Sequence, residues 1–192
     1  MVKIKYEVKV WSIYFLTILL FNYIHELGHC VPAWMNGFRA VPTPAKEYTL
    51  DAVPVYLQQY ISFGGVICTI LISLIVMFLY LNKTYLFNSA ILAGAIANPG
   101  LYTLMFILRG RGHDSTEFQE AQSVMGLSYS GHSLDYIFLI LLMAGIVIWI
   151  IRSKPRFKIT GRLLIGFIVT FIFLIGLQKI NNLIFDPIFL SK

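Results

Sequence analysis

The sequence predicts an all-α integral membrane protein of about five transmembrane helices, with a short interfacial, strand-like loop after the first. Three observations carry this. Hydrophobic residues make up 58% of the 192 positions and charged ones 12%, whereas an ordinary soluble domain carries roughly 25% charge. The mean hydropathy is +0.76. The apolar residues also gather into runs of spanning length, roughly 20 residues each. That composition excludes a soluble globular enzyme and a disordered chain. The expected organisation is a single polytopic membrane domain over residues 1–192, with no separate soluble module.

The first apolar run covers residues 11–30. Lys3, Lys5 and Lys9 precede it as they would in a signal peptide. His25, Glu26 and His29 stand where a small-residue cleavage site belongs, so the run reads as a retained span. Further runs cover 60–81, 85–108, 134–151 and about 163–180, with Lys83 in a tight turn between the second and third. Backbone groups in lipid must find partners within their own segment, so each run is expected to be helical. Between them lie a Pro-containing amphipathic loop, 31–59, and a polar loop, 109–133.

The formal charge of +6 does not point to nucleic acid, because the basic residues fall between the apolar runs, as membrane topology requires. With the N-terminus inside, the inner segments hold nine Lys and Arg residues and the outer ones six. The cluster at 152–162 supplies most of the bias and suits contact with anionic lipid. The expected location is therefore a multi-pass position in the cell membrane, with the bilayer itself as a partner. Cys30 and Cys68 show no CxxC spacing and read as small buried hydrophobes.

The chemistry sits at the end of the first run, in His25-Glu26-Leu27-Gly28-His29. On a helix, positions i and i+4 share a face, so both imidazoles converge on one ion. Neutral imidazoles suit Zn2+, which makes water nucleophilic near pH 7, and Glu26 is placed to take the proton as general base. With four histidines in 192 residues, chance supplies roughly 0.002 such motifs. Ionisable groups in a span are costly, about 2.5–3.5 kcal/mol each, which marks them as functional candidates. Catalytic zinc takes a third protein ligand; the residues on offer are Asp51, His113, Asp114, Glu117, Glu120, His132 and Asp135.

The stretch 25–37, HELGHCVPAWMNG, resembles the signature of the site-2 protease family of intramembrane zinc metalloproteases, with Ala33 and Gly37 at its small-residue positions. Ser62-Phe63-Gly64-Gly65 resembles the Gly-containing motif that opens a later span of that family. By order of spans the likeness covers about 11–120, the catalytic helices, and leaves 134–180 as accessory helices. It implies an Asp ligand downstream of an Asn-Pro motif, which selects Asp114 after Asn98-Pro99, ahead of His113 and Glu117. The spacing from Asn98 is longer here than in the family's pattern. Topology favours the same residue: two crossings return the chain to the side of His29, and a ligand on the opposite face would be about 30 Å away.

Asn98 has two readings. As in the family motif, its amide holds substrate backbone or an oxyanion; alternatively it satisfies the carbonyl that Pro99 frees. The segment 41–60 either pairs with an extended substrate as an added strand or simply connects two helices. His132 and Asp135 read as a helix start satisfied by local polar groups. The expected activity is a zinc-dependent intramembrane endopeptidase acting on membrane protein or peptide substrates. The alternatives are a zinc hydrolase of an amphiphilic lipid-linked substrate and a non-proteolytic membrane zinc protein.

Overall fold

The computed structural model describes residues 2–82, 86–124, 126, 132–153 and 158–190; their side chains are described except at 2–6, 82, 86–88, 113, 114, 117, 120, 121, 124, 153, 158–165 and 167. In chain order the elements are α1 (Val2–Met35), β1 (Ala40–Pro42), β2 (Glu47–Thr49), α2 (Val55–Asn82), α3 (Leu86–Ala95), α4 (Ala97–Arg109), α5 (His113–Val124), α6 (Ser133–Ser153) and α7 (Lys158–Phe189). Among the described residues, five helices are long and apolar enough to cross a membrane, with α3 and α4 together forming one of the five. The architecture is all-α, and the only sheet among those residues is the β1–β2 hairpin.

The spans lie where the hydropathy puts them, but several boundaries move. The first helix does not stop at Cys30: it runs through Pro32 to Met35. The second starts at Val55, so the loop between them shrinks to the hairpin and its flanks. The polar stretch 109–133 contains α5, whose Phe118 packs on Phe63 of α2 with ring centroids 5.6 Å apart. The last helix passes the polar residues Gln178–Asn182 and continues to Phe189.

In lipid no hydrophobic force pulls helices together, so close packing of small residues has to do it. The α1–α2 crossing is built this way. A Cβ on Gly64 would lie 2.1 Å from the Gly28 carbonyl oxygen, and one on Gly28 would lie 2.6 Å from the Gly64 carbonyl oxygen. Only glycine fits either position. Pro32 has no N–H to give the Gly28 carbonyl its helical bond, and that carbonyl turns out to be the one facing Gly64.

The third span breaks at Ile96, between α3 and α4, because Pro99 cannot donate to the Ala95 carbonyl. Ser73 of α2 donates to that carbonyl instead, at 3.1 Å. The break is packed from α2, α3 and α6 by Val66, Met77, Leu92, Ile96, Phe138 and Leu141. A second cluster, Cys30, Ala33, Ala40, Leu57 and Ile61, seats the hairpin against α1 and α2.

The hairpin pairs Ala40 with Thr49, Val41 with Tyr48 and Pro42 with Glu47. Its turn closes with the Thr43 N–H on the Lys46 carbonyl at 3.0 Å. Arg39 and Asp51 clamp its base at 2.7 Å. On α1, Trp34 donates its indole N–H to the Ala40 carbonyl at 2.9 Å, and the Asn22 amide donates to the Pro44 carbonyl. Asn22 lies 13 residues before the end of α1, so the turn reaches back along that helix by about 20 Å. Such non-helical backbone is tolerated at membrane depth only where protein surrounds it or it lines a cavity. Here it does both.

Candidate metal centre

His25, Glu26 and His29 are all buried on α1. The His25 Nδ1 lies 3.0 Å from the Gly65 carbonyl and 2.8 Å from the Thr69 hydroxyl. The His29 Nδ1 lies 2.7 Å from the Ile61 carbonyl. A carbonyl only accepts, so both Nδ1 atoms carry the proton and both Nε2 atoms present lone pairs. Those two Nε2 atoms are 3.0 Å apart. Neither can donate to the other, so the pair is a repulsive arrangement unless a cation or proton joins it. Tetrahedral Zn–N bonds of about 2.0 Å put two nitrogens about 3.3 Å apart. The donor set fits zinc with a shift of a few tenths of an ångström.

The second helix makes this orientation possible. Ile61, Gly65 and Thr69 recur every four residues and so share one face of α2. A Cβ on Gly65 would lie 2.2 Å from His29 Nε2, so the ring occupies space that any other residue would fill. From α4, the Tyr102 hydroxyl reaches His25 Nε2 at 3.1 Å, and its ring stacks on Phe138 at 4.4 Å.

A cavity of about 560 Å³ opens over the imidazoles. His25, Glu26, His29, Asn98 and Tyr102 form its polar part, Lys46 and Glu47 of the hairpin cover it, and Phe171, Ile175 and Gln178 of α7 wall one side. A ligand atom from each of Glu26, His29 and Glu47 lies within 4.8 Å of the other two.

Asn98 is buried and lines this cavity. The carbonyl freed by Pro99 is taken by Ser73, so the reading of Asn98 as its hydrogen-bond partner is corrected. Of the third-ligand candidates, Asp51 is bound to Arg39. Asp135 is buried but committed to the Gly112 N–H at 2.9 Å, the Ser115 hydroxyl at 3.2 Å and His132 at 3.1 Å. It thereby fixes the start of α5 on either side of His113 and Asp114. The side chains of His113, Asp114, Glu117 and Glu120 lie outside the described residues; α5 itself packs on the part of α2 that carries Ile61 and Phe63.

Tyr102, Thr69 and Glu47 were not legible as site residues. The HExxH states its own helix, but Tyr102 is 77 positions from His25 and joins it only through the register of the α4 break. Glu47 had a fainter signal. In a strand, Tyr48 points away from the face that Glu47 uses, so the acidic residue beside it can turn inward.

No family model matches this chain, and neither a curated protein nor a solved structure does.

Proposed function

We propose that this chain is a zinc-dependent intramembrane endopeptidase, a multi-pass enzyme of the cell membrane akin to the site-2 proteases its 25–37 stretch resembles. The observation that carries the reading is the pair of Nε2 lone pairs aimed at one point beside the Glu26 carboxylate, each held by an Nδ1–H···O bond from the other side of its ring. Ligating histidines characteristically donate their second nitrogen in this way.

His25 and His29, with Asp114 as third ligand, would hold zinc, which when bound would make a water nucleophilic near neutral pH. Glu26 takes the proton of the attacking water and passes it to the leaving amine. Tyr102, whose hydroxyl lies 3.1 Å from His25 Nε2, would give up that contact to the metal and present its hydroxyl to the cavity. The Asn98 amide, not needed to repair the helix break, is available to hold the substrate carbonyl. Thr43 and Leu50 give their N–H groups to Lys46 and Arg39. By strand alternation the backbone groups of Glu47 and Thr49 therefore point away from β1. That edge beside the cavity favours an extended peptide over a lipid-linked substrate.

The test is cleavage of a reporter carrying a transmembrane segment by detergent-purified protein. Chelation should stop it, and Glu26→Gln should keep the metal while losing about 10²–10⁴-fold in turnover. Activity that survives chelation, or survives in Glu26→Gln, removes the assignment.

A further inference from the structure

The hairpin does more than cover the cavity. Strand alternation turns Tyr48 away from Glu47 and toward α7, where its hydroxyl donates to Asp186 at 2.7 Å, and Lys46, on the cavity wall, lies 3.7 Å from the same carboxylate. Glu47 turns into the cavity and brings a carboxylate oxygen within 4.8 Å of the ligand atoms of His29 and Glu26. Among the described residues Glu47 takes no hydrogen bond or ion pair, while each neighbouring acidic or basic group has one. An unpaired carboxylate beside the His29 imidazole and the Glu26 carboxylate, in a cavity that His25 also lines, is a ligand arrangement.

We propose that Glu47 is a hairpin-borne metal ligand that occupies the open coordination position while the hairpin is latched to α7, and that must leave it for substrate or any other external ligand to bind. This rests on the zinc reading of His25 and His29. Three protein ligands leave one position for substrate, and the Glu47 carboxylate faces the space that position opens into. The latch holds it there. Tyr48 is buried and bonded to Asp186, with Asn181 also approaching its hydroxyl at 3.4 Å. Freeing Glu47 then requires the hairpin to shift away from α7, which couples metal access to hairpin position.

The experiment uses the full chain in detergent, loaded with Co2+ as a visible-absorbing probe, with azide as the external ligand. The variants are Glu47→Gln, which removes the ligand, and Asp186→Asn, which weakens the latch and leaves Glu47 intact. Wild type should bind Co2+ and resist azide. Glu47→Gln should change the Co2+ absorption and bind azide at least tenfold more tightly, and Asp186→Asn should move azide affinity in the same direction by a smaller factor. The Asp186→Asn arm decides if Glu47→Gln does not fold. His29→Ala, binding no Co2+, verifies the site. Equal azide affinity and identical spectra in wild type and Glu47→Gln overturn the ligand role while the metal site stands. Azide affinity unchanged in Asp186→Asn overturns the coupling. A wild type that binds no Co2+ overturns the zinc reading and this inference with it.

Discussion

The α1–α2 crossing and the hairpin–α7 contact border the same cavity and are built from opposite materials. At the crossing, two backbones touch through Gly28 and Gly64, and the imidazoles are held by main-chain carbonyls of the neighbouring helix. On the other side, α7 contributes largely exposed aliphatic residues such as Ile172, Leu183 and Ile188, and its hold on the hairpin comes through Tyr48, Lys46, Asp186 and Asn181. The first contact fixes positions to within a methyl group. The second is a set of polar side chains at the end of a helix that otherwise faces outward. On the proposed reading, chemistry that needs exact geometry would sit on the rigid side, and access would be left to the side that exchanges contacts cheaply.

Matched glycine substitutions test this contrast most harshly. Gly65→Ala drives a methyl into His29, with a Cβ 2.2 Å from its Nε2. It should abolish metal binding and cost about 1–3 kcal/mol or more of stability. Gly176→Ala on α7 meets nothing within 4 Å and should be neutral or stabilising by about 0.5–1 kcal/mol. Metal content and thermal unfolding in detergent read both; similar losses in the two variants would erase the distinction. Next in size is Thr69→Val, which removes one of two Nδ1 partners of His25 and should weaken metal affinity about tenfold, the lower end for such orienting groups. Chelator competition measures it, and unchanged affinity would strip Thr69 of that role.

The smallest effect belongs to the latch. Tyr48→Phe loses the bond to Asp186 and should cost about 1 kcal/mol, seen as faster proteolysis within the hairpin. Burial, then the Asp186 carboxylate, push the Tyr48 phenol from 10.0 up to about 12. A raised pKa means the folded state holds the proton more tightly. The stabilisation is therefore complete below pH 10 and disappears as pH rises through about 12. An absorbance titration should show a phenolate transition near that pH that Tyr48→Phe removes.

The sequence made the spans and the HExxH readable, because a 20-residue apolar run and an i, i+4 pair are local properties. It did not show where α1 ends. Pro32 lies in the stretch read as loop, yet the helix runs through it, and its missing N–H leaves the Gly28 carbonyl without a helical donor at the very point where α2 crosses. Nor did it show α5: the run from His113 to Val124 has a polar composition, and its helix is defined by Asp135 binding Gly112 and Ser115 from 20 or more positions away. Asn98 was ambiguous for the same reason, since the group that repairs the break, Ser73, belongs to another helix. What escaped local reading is in each case a contact set by how two helices are registered against each other.

The central claim is tested most directly by elemental analysis of the detergent-purified chain, prepared without chelator, beside His29→Ala and Asp114→Ala. The account predicts about one zinc per chain, as a site with one open position holds, lost in His29→Ala and reduced in Asp114→Ala. Wild type without zinc would contradict it and leave the paired imidazoles as a buried polar contact in a membrane binding module.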